Sequence, residues 1–245
     1  MRVLSCVGAR PQFVKAAVLS AELERRGIEE VLVHTGQHYD FSMSDVFFDE
    51  LSIPKPKYEL GVGSAGHGEQ TGEMMRRLEP IVAAEAPDWT IVYGDTNSTL
   101  AGALVAAKLG IGVAHVEAGL RSFNRSMPEE INRIVADHVA TLLLVPNERA
   151  AAQLRSEGIA GEVRVVGDLM VDLCARVGRT LPELPPVLER FGLRPGEYGV
   201  ATVHRAGNTD DPARFGRIVE GLRRAGFPIV FPVHPRTLPI AREFG

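Results

Sequence analysis

The 245-residue chain has two cysteines, Cys6 and Cys174, no run of Lys or Arg, and no apolar stretch long enough to cross a bilayer. Each scarcity excludes a class of protein. Two cysteines, one in an apolar strand and one in a helical stretch, cannot form a disulfide framework and fit a reducing compartment. A formal net charge of -4 with dispersed cations leaves no footprint for a nucleic-acid backbone or an anionic membrane, so any polyanion bound is small. The N-terminus holds one Arg and then a short strand, with no signal-peptide pattern, so a cytoplasmic location is expected. No Cys or His spacing suits zinc, and no Gly-x-Ser-x-Gly nucleophile elbow occurs.

What is present is a large apolar fraction, 45%, beside 24% charged residues, enough to bury a substantial core. Apolar runs alternate with helical stretches: Val3 to Val7, Val31 to His34, Trp89 to Tyr93, Val113 to Glu117, Leu142 to Val145, Val163 to Val166, Tyr198 to Val203 and Ile229 to Val233. Strands that are apolar throughout belong in a parallel sheet covered on both faces, and the βαβα order predicts an α/β, Rossmann-like fold. Pro11 suits a first helical position with Gly27 closing that helix, and Met74, Leu78, Ile81 and Val82 form an apolar stripe on another. The proline density of Thr180 to Pro186 reads as a linker. The expected organisation is an N-terminal domain over 1–179, a linker over 180–197, and over 198–245 the start of a second Rossmann-like domain, too short to bury a sheet on both faces.

The chemistry-bearing residues fall at strand ends, where open α/β sheets bind ligands. Asp95 follows Thr90 to Gly94, and Glu117 follows Val113 to Val116. Asp95 also fits a helix cap. Glu117 is harder to explain structurally, because a carboxylate ending an apolar strand is costly to desolvate without a partner. Glu129 and Glu130 follow Pro128, where acids in a first turn also favour the helix dipole. Several acids converging on one edge suit general acid/base work, in which neighbouring carboxylates push each other's pKa values apart. The first strand runs into Gly8-Ala9-Arg10-Pro11, a glycine turn opening a helix that carries Arg10 and Lys15. Free N–H groups and two cations there suit phosphate, although a plain βα turn reads the same way. The turn is neither a dinucleotide fingerprint nor a P-loop. Gln37 and His38 follow the second strand, and His204, Arg205, His234 and Arg236 end the strands of the second unit.

Together these pieces resemble the non-hydrolysing UDP-N-acetylglucosamine 2-epimerases. The matching residues are Gly8-Ala9-Arg10-Pro11 with Lys15, Gly36-Gln37-His38, Gly94-Asp95-Thr96, His115 through Arg121, Pro128-Glu129-Glu130 with Asn132-Arg133, His204-Arg205 and Pro232-Val233-His234. The resemblance implies a GT-B-like pair of Rossmann-like domains holding a UDP-sugar in a cleft, a homodimer, and a reaction that inverts C2 through UDP elimination and re-addition. It implies no cofactor and no metal. Carried over by position, Asp95, Glu117 and Glu129 are proton-transfer acids and His204 contacts the leaving diphosphate. Arg10, Lys15, Gln37, His38, Arg121, Arg133, Arg205 and His234 bind substrate. The family's remaining nucleotide-binding residues are expected beyond Gly245. Tyr39 to Asp45 after Gln37-His38, and Ala206 after His204-Arg205, depart from members activated by their own substrate, and Gly8-Ala9-Arg10-Pro11-Gln12-Phe13 with Gln37-His38-Tyr39-Asp40 looks closer to a branch that includes epimerases acting on UDP-2,3-diacetamido-glucuronate. The competing readings are a hydrolysing epimerase, a GT-B glycosyltransferase, and a nucleotide-sugar binding module with an incomplete active site.

Overall fold

A computed structural model describes residues 1–37, 54–180, 186–234 and 236–244. His38, the Tyr39–Asp40 loop and residues 181–185 of the expected linker lie outside them. Two compact units divide between Arg176 and Val177.

In the first unit, β1 (Arg2–Val7), β2 (Glu29–His34), β3 (Tyr58–Glu59), β4 (Trp89–Tyr93), β5 (Gly112–Val116), β6 (Leu142–Val145) and β7 (Glu162–Val165) form one sheet. Its order is β3-β2-β1-β4-β5-β6-β7 and every pair is parallel. The order reverses between β1 and β4, and at such a switch point the connections leave to opposite faces and open a crevice at the carboxyl ends of the strands. The turns after Val7 and Tyr93 flank that point. The two-residue strand β3 has no counterpart among the apolar runs, because an edge strand this short is defined by its pairing with Val33 and His34 rather than by its own pattern.

Helices cover both faces. Leu4, Cys6, Val33, Val92, Val113 and Leu143 point to one side, where α2 (His67–Glu85), α3 (Asn97–Lys108), α4 (Pro128–Val139) and α5 (Glu148–Ser156) pack. Met74, Leu78 and Val82 of the expected stripe are fully covered there, each contributing roughly 1.5–3 kcal/mol of burial. Val3, Val7, Leu32, Ile91, Tyr93 and Val116 point to the other side, against Phe13, Ala16 and Ala17 of α1 (Arg10–Arg25) and Leu169 of α6 (Leu169–Thr180). Pro11 stands in the first turn of α1, and Gly27 takes φ +67° just past its end. The edge strand β7 is largely exposed and carries Glu162 and Arg164, charges that discourage further pairing.

The second unit holds α7 (Pro186–Arg190), α8 (Ala206–Thr209), α9 (Pro212–Arg223) and α10 (Leu238–Glu243). Its sheet is a parallel pair, β8 (Gly199–Val200) and β9 (Ile229–Val230). The apolar runs to Val203 and Val233 thus pair over two residues each; beyond them a two-stranded ladder offers no second neighbour to hold the backbone extended. Asp211 caps α9 by accepting from the Arg214 N–H at 3.1 Å.

Candidate active site

At the end of β4, Gly94 takes φ +65° and donates its N–H to the Val116 carbonyl of the neighbouring strand at 3.0 Å. The turn delivers Asp95 to the rim. Thr96, not Asp95, caps α3, accepting from Thr99 N–H at 3.3 Å. Asp95 is thereby left for another partner, and its Oδ2 accepts from Arg133 Nη2 at 2.5 Å. At the end of β5, Glu117 itself takes φ +66°, a left-handed conformation that costs a non-glycine residue about 1–3 kcal/mol. Its N–H is tied to the Leu144 carbonyl at 3.0 Å. Strain of this kind persists where surrounding contacts over-determine it, and Glu117 has them. Its Oε2 accepts from Lys15 Nζ, its carbonyl accepts from Arg133 Nη1, and its Oε1 lies 3.6 Å from Arg133 Nη2.

Arg133 therefore joins both acids. Its side chain is 7% exposed and that of Lys15 11%, whereas Asp95 and Glu117 keep 34% and 20%. The cations are the more deeply buried members and the acids the more exposed, the order required if the acids are to meet a ligand. A pocket of about 210 Å³ opens beside them, lined by Asp95, Leu120, Arg121, Glu129, Glu130 and Arg133 among others. The structure thus gathers Asp95, Glu117 and Arg133 into one contact set and puts Glu129, exposed in the first turn of α4, on the wall of the same pocket.

Glu130, its neighbour, is buried and accepts from the Ser122 N–H at 2.7 Å, the Ser122 hydroxyl at 2.8 Å and the Phe123 N–H at 3.0 Å. Burial pushes its carboxyl up, but these donors outweigh it and leave the pKa below the usual range. Glu130 is a strut for the loop after β5.

One expectation needs correction. The Gly8 and Ala9 N–H groups are not available to an anion: both donate to Gln12 Oε1, at 2.8 and 3.0 Å, and Gln12 Nε2 donates to the Tyr93 carbonyl at 2.8 Å. A glutamine one turn into the helix satisfies the turn from within, which its neighbours in sequence do not reveal. Arg10 stands exposed at the start of the same helix. Arg121, expected to bind substrate, has a side chain only 2% exposed. Its guanidinium donates to Asp137 Oδ2 at 2.7 Å and to both Glu157 oxygens at 2.8 and 2.6 Å. Burial would lower its pKa, yet Glu157 and Asp137 raise it further.

Gln37 spends its carboxamide oxygen on the Ser98 N–H at 3.0 Å and hydroxyl at 2.8 Å, at the start of α3. In the second unit, His204, Arg205 and His234 are exposed, and the two imidazole rings lie 5.7 Å apart. Arg236 donates to both oxygens of Asp210 at 3.0 and 2.8 Å. Among the described residues no group of three or more His, Cys, Asp or Glu side chains is placed to hold a metal ion. No helix among them is long and apolar enough to cross a membrane.

Asp137, an important partner in this region, escapes a reading of strand ends because it lies on a helix. Its signal is nevertheless there: Glu130, Arg133 and Asp137 recur at helical spacing on the buried face of α4, where apolar residues would ordinarily stand. Gly119 has a related role. It takes φ +79° and donates its N–H to Asp137 Oδ2 at 3.2 Å, and a Cβ there would lie 2.6 Å from the Ala150 carbonyl. Gly119→Ala is expected to destabilise the fold by about 2–4 kcal/mol, from left-handed strain plus a clash with backbone. Gly94→Ala should cost only about 1 kcal/mol, since its Cβ would meet nothing closer than 3.9 Å. Equal denaturation midpoints for the two variants would refute this ranking.

The fold and rim define a doubly wound α/β protein with a small-ligand site of paired acids and cations at the strand ends. The family model for UDP-N-acetylglucosamine 2-epimerase matches residues 21–244. A UDP-N-acetylglucosamine 2-epimerase homolog of Methanococcus maripaludis is 49% identical over 238 residues, covering 97% of this chain and 66% of that protein. The UDP-2,3-diacetamido-2,3-dideoxy-D-glucuronate 2-epimerase of Pseudomonas aeruginosa is 45% identical over 252 residues, covering 100% of this chain and 70% of that protein. The crystal structure of Methanocaldococcus jannaschii UDP-GlcNAc 2-epimerase, in complex with UDP-GlcNAc and UDP, superposes with a TM-score of 0.86 at 43% identity, covering 100% of this chain and 69% of that one. The chain belongs to the UDP-N-acetylglucosamine 2-epimerase family. It spans about two thirds of the length of these relatives.

Proposed function

We infer that this protein serves the epimerisation of a UDP-linked 2-acetamido sugar at C2, without net hydrolysis. The observation that carries this reading is the pairing of Asp95 and Glu117 through Arg133 at the sheet's carboxyl rim, with Lys15 on Glu117. The Asp95 and Glu117 carboxylates are groups of the kind that take and return a proton in general acid/base catalysis. The C2–H bond is a poor acid by itself. Its proton can be taken when the C–H electron pair forms a C1–C2 double bond and UDP leaves C1 with the pair of the broken C1–O bond. The bound 2-acetamidoglucal is then protonated at C2 on its other face as the diphosphate oxygen returns to C1. Atoms and charge balance, and no electrons leave the sugar.

Asp95, Glu117 and Glu129 are the acids we assign to these proton transfers, because they border one another or one pocket. Lys15 lies on Glu117 and Arg133 on both Asp95 and Glu117, and Arg10, exposed at the start of α1, suits an anionic ligand. In the second unit, taken by itself, His204 and His234, whose rings lie 5.7 Å apart, suit an anionic group. The close similarity to both the Methanococcus homolog and the Pseudomonas glucuronate enzyme supports two sugars, UDP-GlcNAc and UDP-2,3-diacetamido-2,3-dideoxy-D-glucuronate.

With each of these nucleotide sugars in heavy water, the recovered UDP-sugar is expected to gain one deuterium, at C2, in step with formation of the epimer. Mass spectrometry reads the gain. Epimer without deuterium would exclude proton transfer to solvent-exchanged acids, and free UDP accumulating in step with free sugar would indicate the hydrolysing reaction instead.

A further inference from the structure

His115 lies in the middle of the sheet, with Val92 of β4 and Leu143 of β6 as its strand neighbours, and its side chain is wholly buried. Its Nε2 is 2.7 Å from the Gly94 carbonyl and its Nδ1 is 2.7 Å from Asp137 Oδ1. A carbonyl can only accept, so Nε2 carries a hydrogen. The second contact is decided by Asp137. Its other oxygen already accepts from Arg121 Nη1 at 2.7 Å and from the Gly119 N–H at 3.2 Å, so no proton fits there. Burial would raise the Asp137 pKa, but His115 and Arg121 bring it below the usual range. Facing an ionised carboxylate, Nδ1 must also donate. A neutral ring would turn a bare lone pair on an anion in a dry interior, at the cost of an unsatisfied buried group.

We propose that His115 donates from both ring nitrogens, to Asp137 and to the Gly94 carbonyl, and that it is a positioning residue for the Asp95 turn. The proposal rests on the reading of Asp95 as a proton-transfer acid. The Gly94 carbonyl and the Asp95 N–H belong to one planar peptide, so a charged donor on the carbonyl sets the plane from which the Asp95 side chain departs. The same residue's N–H bonds Val116, the last residue before Glu117, so the ring lies under both acid-bearing turns. The charged groups around it are Asp137 of α4 and, through Asp137, Arg121 with Glu157 just past the end of α5; Asp95, Glu117, Arg133 and Lys15 stand on or against the turns it braces.

The experiment is nitrogen NMR of ring-labelled histidine in the unsubstituted protein, with His115 assigned through bonds, under the conditions of the turnover assay. Both ring nitrogens are expected to bear protons. A ring with one bare nitrogen overturns the proposal whatever the activity. Asp137→Asn is the second arm: its amide can donate to Nδ1, which then accepts, while Nε2 still reaches Gly94. Turnover is expected to fall about tenfold to a hundredfold with KM changed less than about threefold, the scale of misplacing a reacting group by a fraction of an ångström. If the ring stays doubly protonated in Asp137→Asn, or turns neutral with kcat unchanged, the positioning role is refuted. Loss of deuterium exchange in the unsubstituted protein would instead strike at the epimerase reading and leave the NMR result standing.

Discussion

Replacing Glu117 by Gln is expected to lower turnover by about two orders of magnitude or more, the usual scale for losing an acid/base group. The substitution is nearly isosteric. The carboxamide oxygen can still accept from Lys15, and the backbone at φ +66° is held by the Leu144 carbonyl and by Arg133 on the Glu117 carbonyl, neither of which involves the side chain. The variant should therefore unfold within a few degrees of the parent, about 1 kcal/mol at most. What it loses is the ability to take a proton, and with it deuterium entry at C2. Near-normal turnover in Glu117→Gln would remove this residue from the chemistry and leave its strained backbone as a purely structural feature.

Arg133→Met should be the most damaging substitution at the rim for stability and activity together. A fully buried pair broken on one side costs about 3–5 kcal/mol because an uncompensated charge stays behind. Here Asp95 loses its partner while Glu117 keeps Lys15, and the two carboxylates keep 34% and 20% exposure, so water relieves part of the penalty and about 2 kcal/mol is expected. The loss in turnover should reach about a hundredfold, since Asp95 and Glu117 no longer share a donor that fixes their separation. Arg133→Lys separates the two effects. A point charge restores much of the stability, but it cannot reach the Glu117 carbonyl and the Asp95 carboxylate at once as a guanidinium does. Recovery of full turnover by lysine would mean that the charge matters and the shared geometry does not.

These expectations start from residues that were visible along the chain. Asp95 and Glu117 announced themselves because each ends an apolar run, and Glu129 because it follows a proline that opens a helix. Their partners were visible as family-like residues but not as partners. Arg133 reads as another substrate contact until α4 packs against the sheet and brings it to Asp95, 38 positions away. Arg121 shows the converse. An arginine after Ala118-Gly119-Leu120 looks like a rim cation, but the left-handed Gly119 turns the chain so that the guanidinium enters the interior toward Asp137 and Glu157. Gln12 was passed over altogether, since a glutamine in the first turn of a helix is ordinary until both of its ends are seen to bridge the turns after β1 and β4.

What the amino-acid order determined alone was everything that depends on short-range pattern: the parallel α/β class, the ends of α1, the stripe on α2, and carboxylates at the ends of β4 and β5. Those features follow from continuous apolar runs, a 3.6-fold repeat, and proline and glycine at helix ends, which a strand or helix expresses wherever it is placed. The charge assignments were decided only by the tertiary structure, because they join residues 102 positions apart, as in Lys15 and Glu117, or 22 apart, as in His115 and Asp137. In a buried, low-dielectric rim the proton on each group is set by the donor or acceptor that faces it, and packing alone chooses that neighbour.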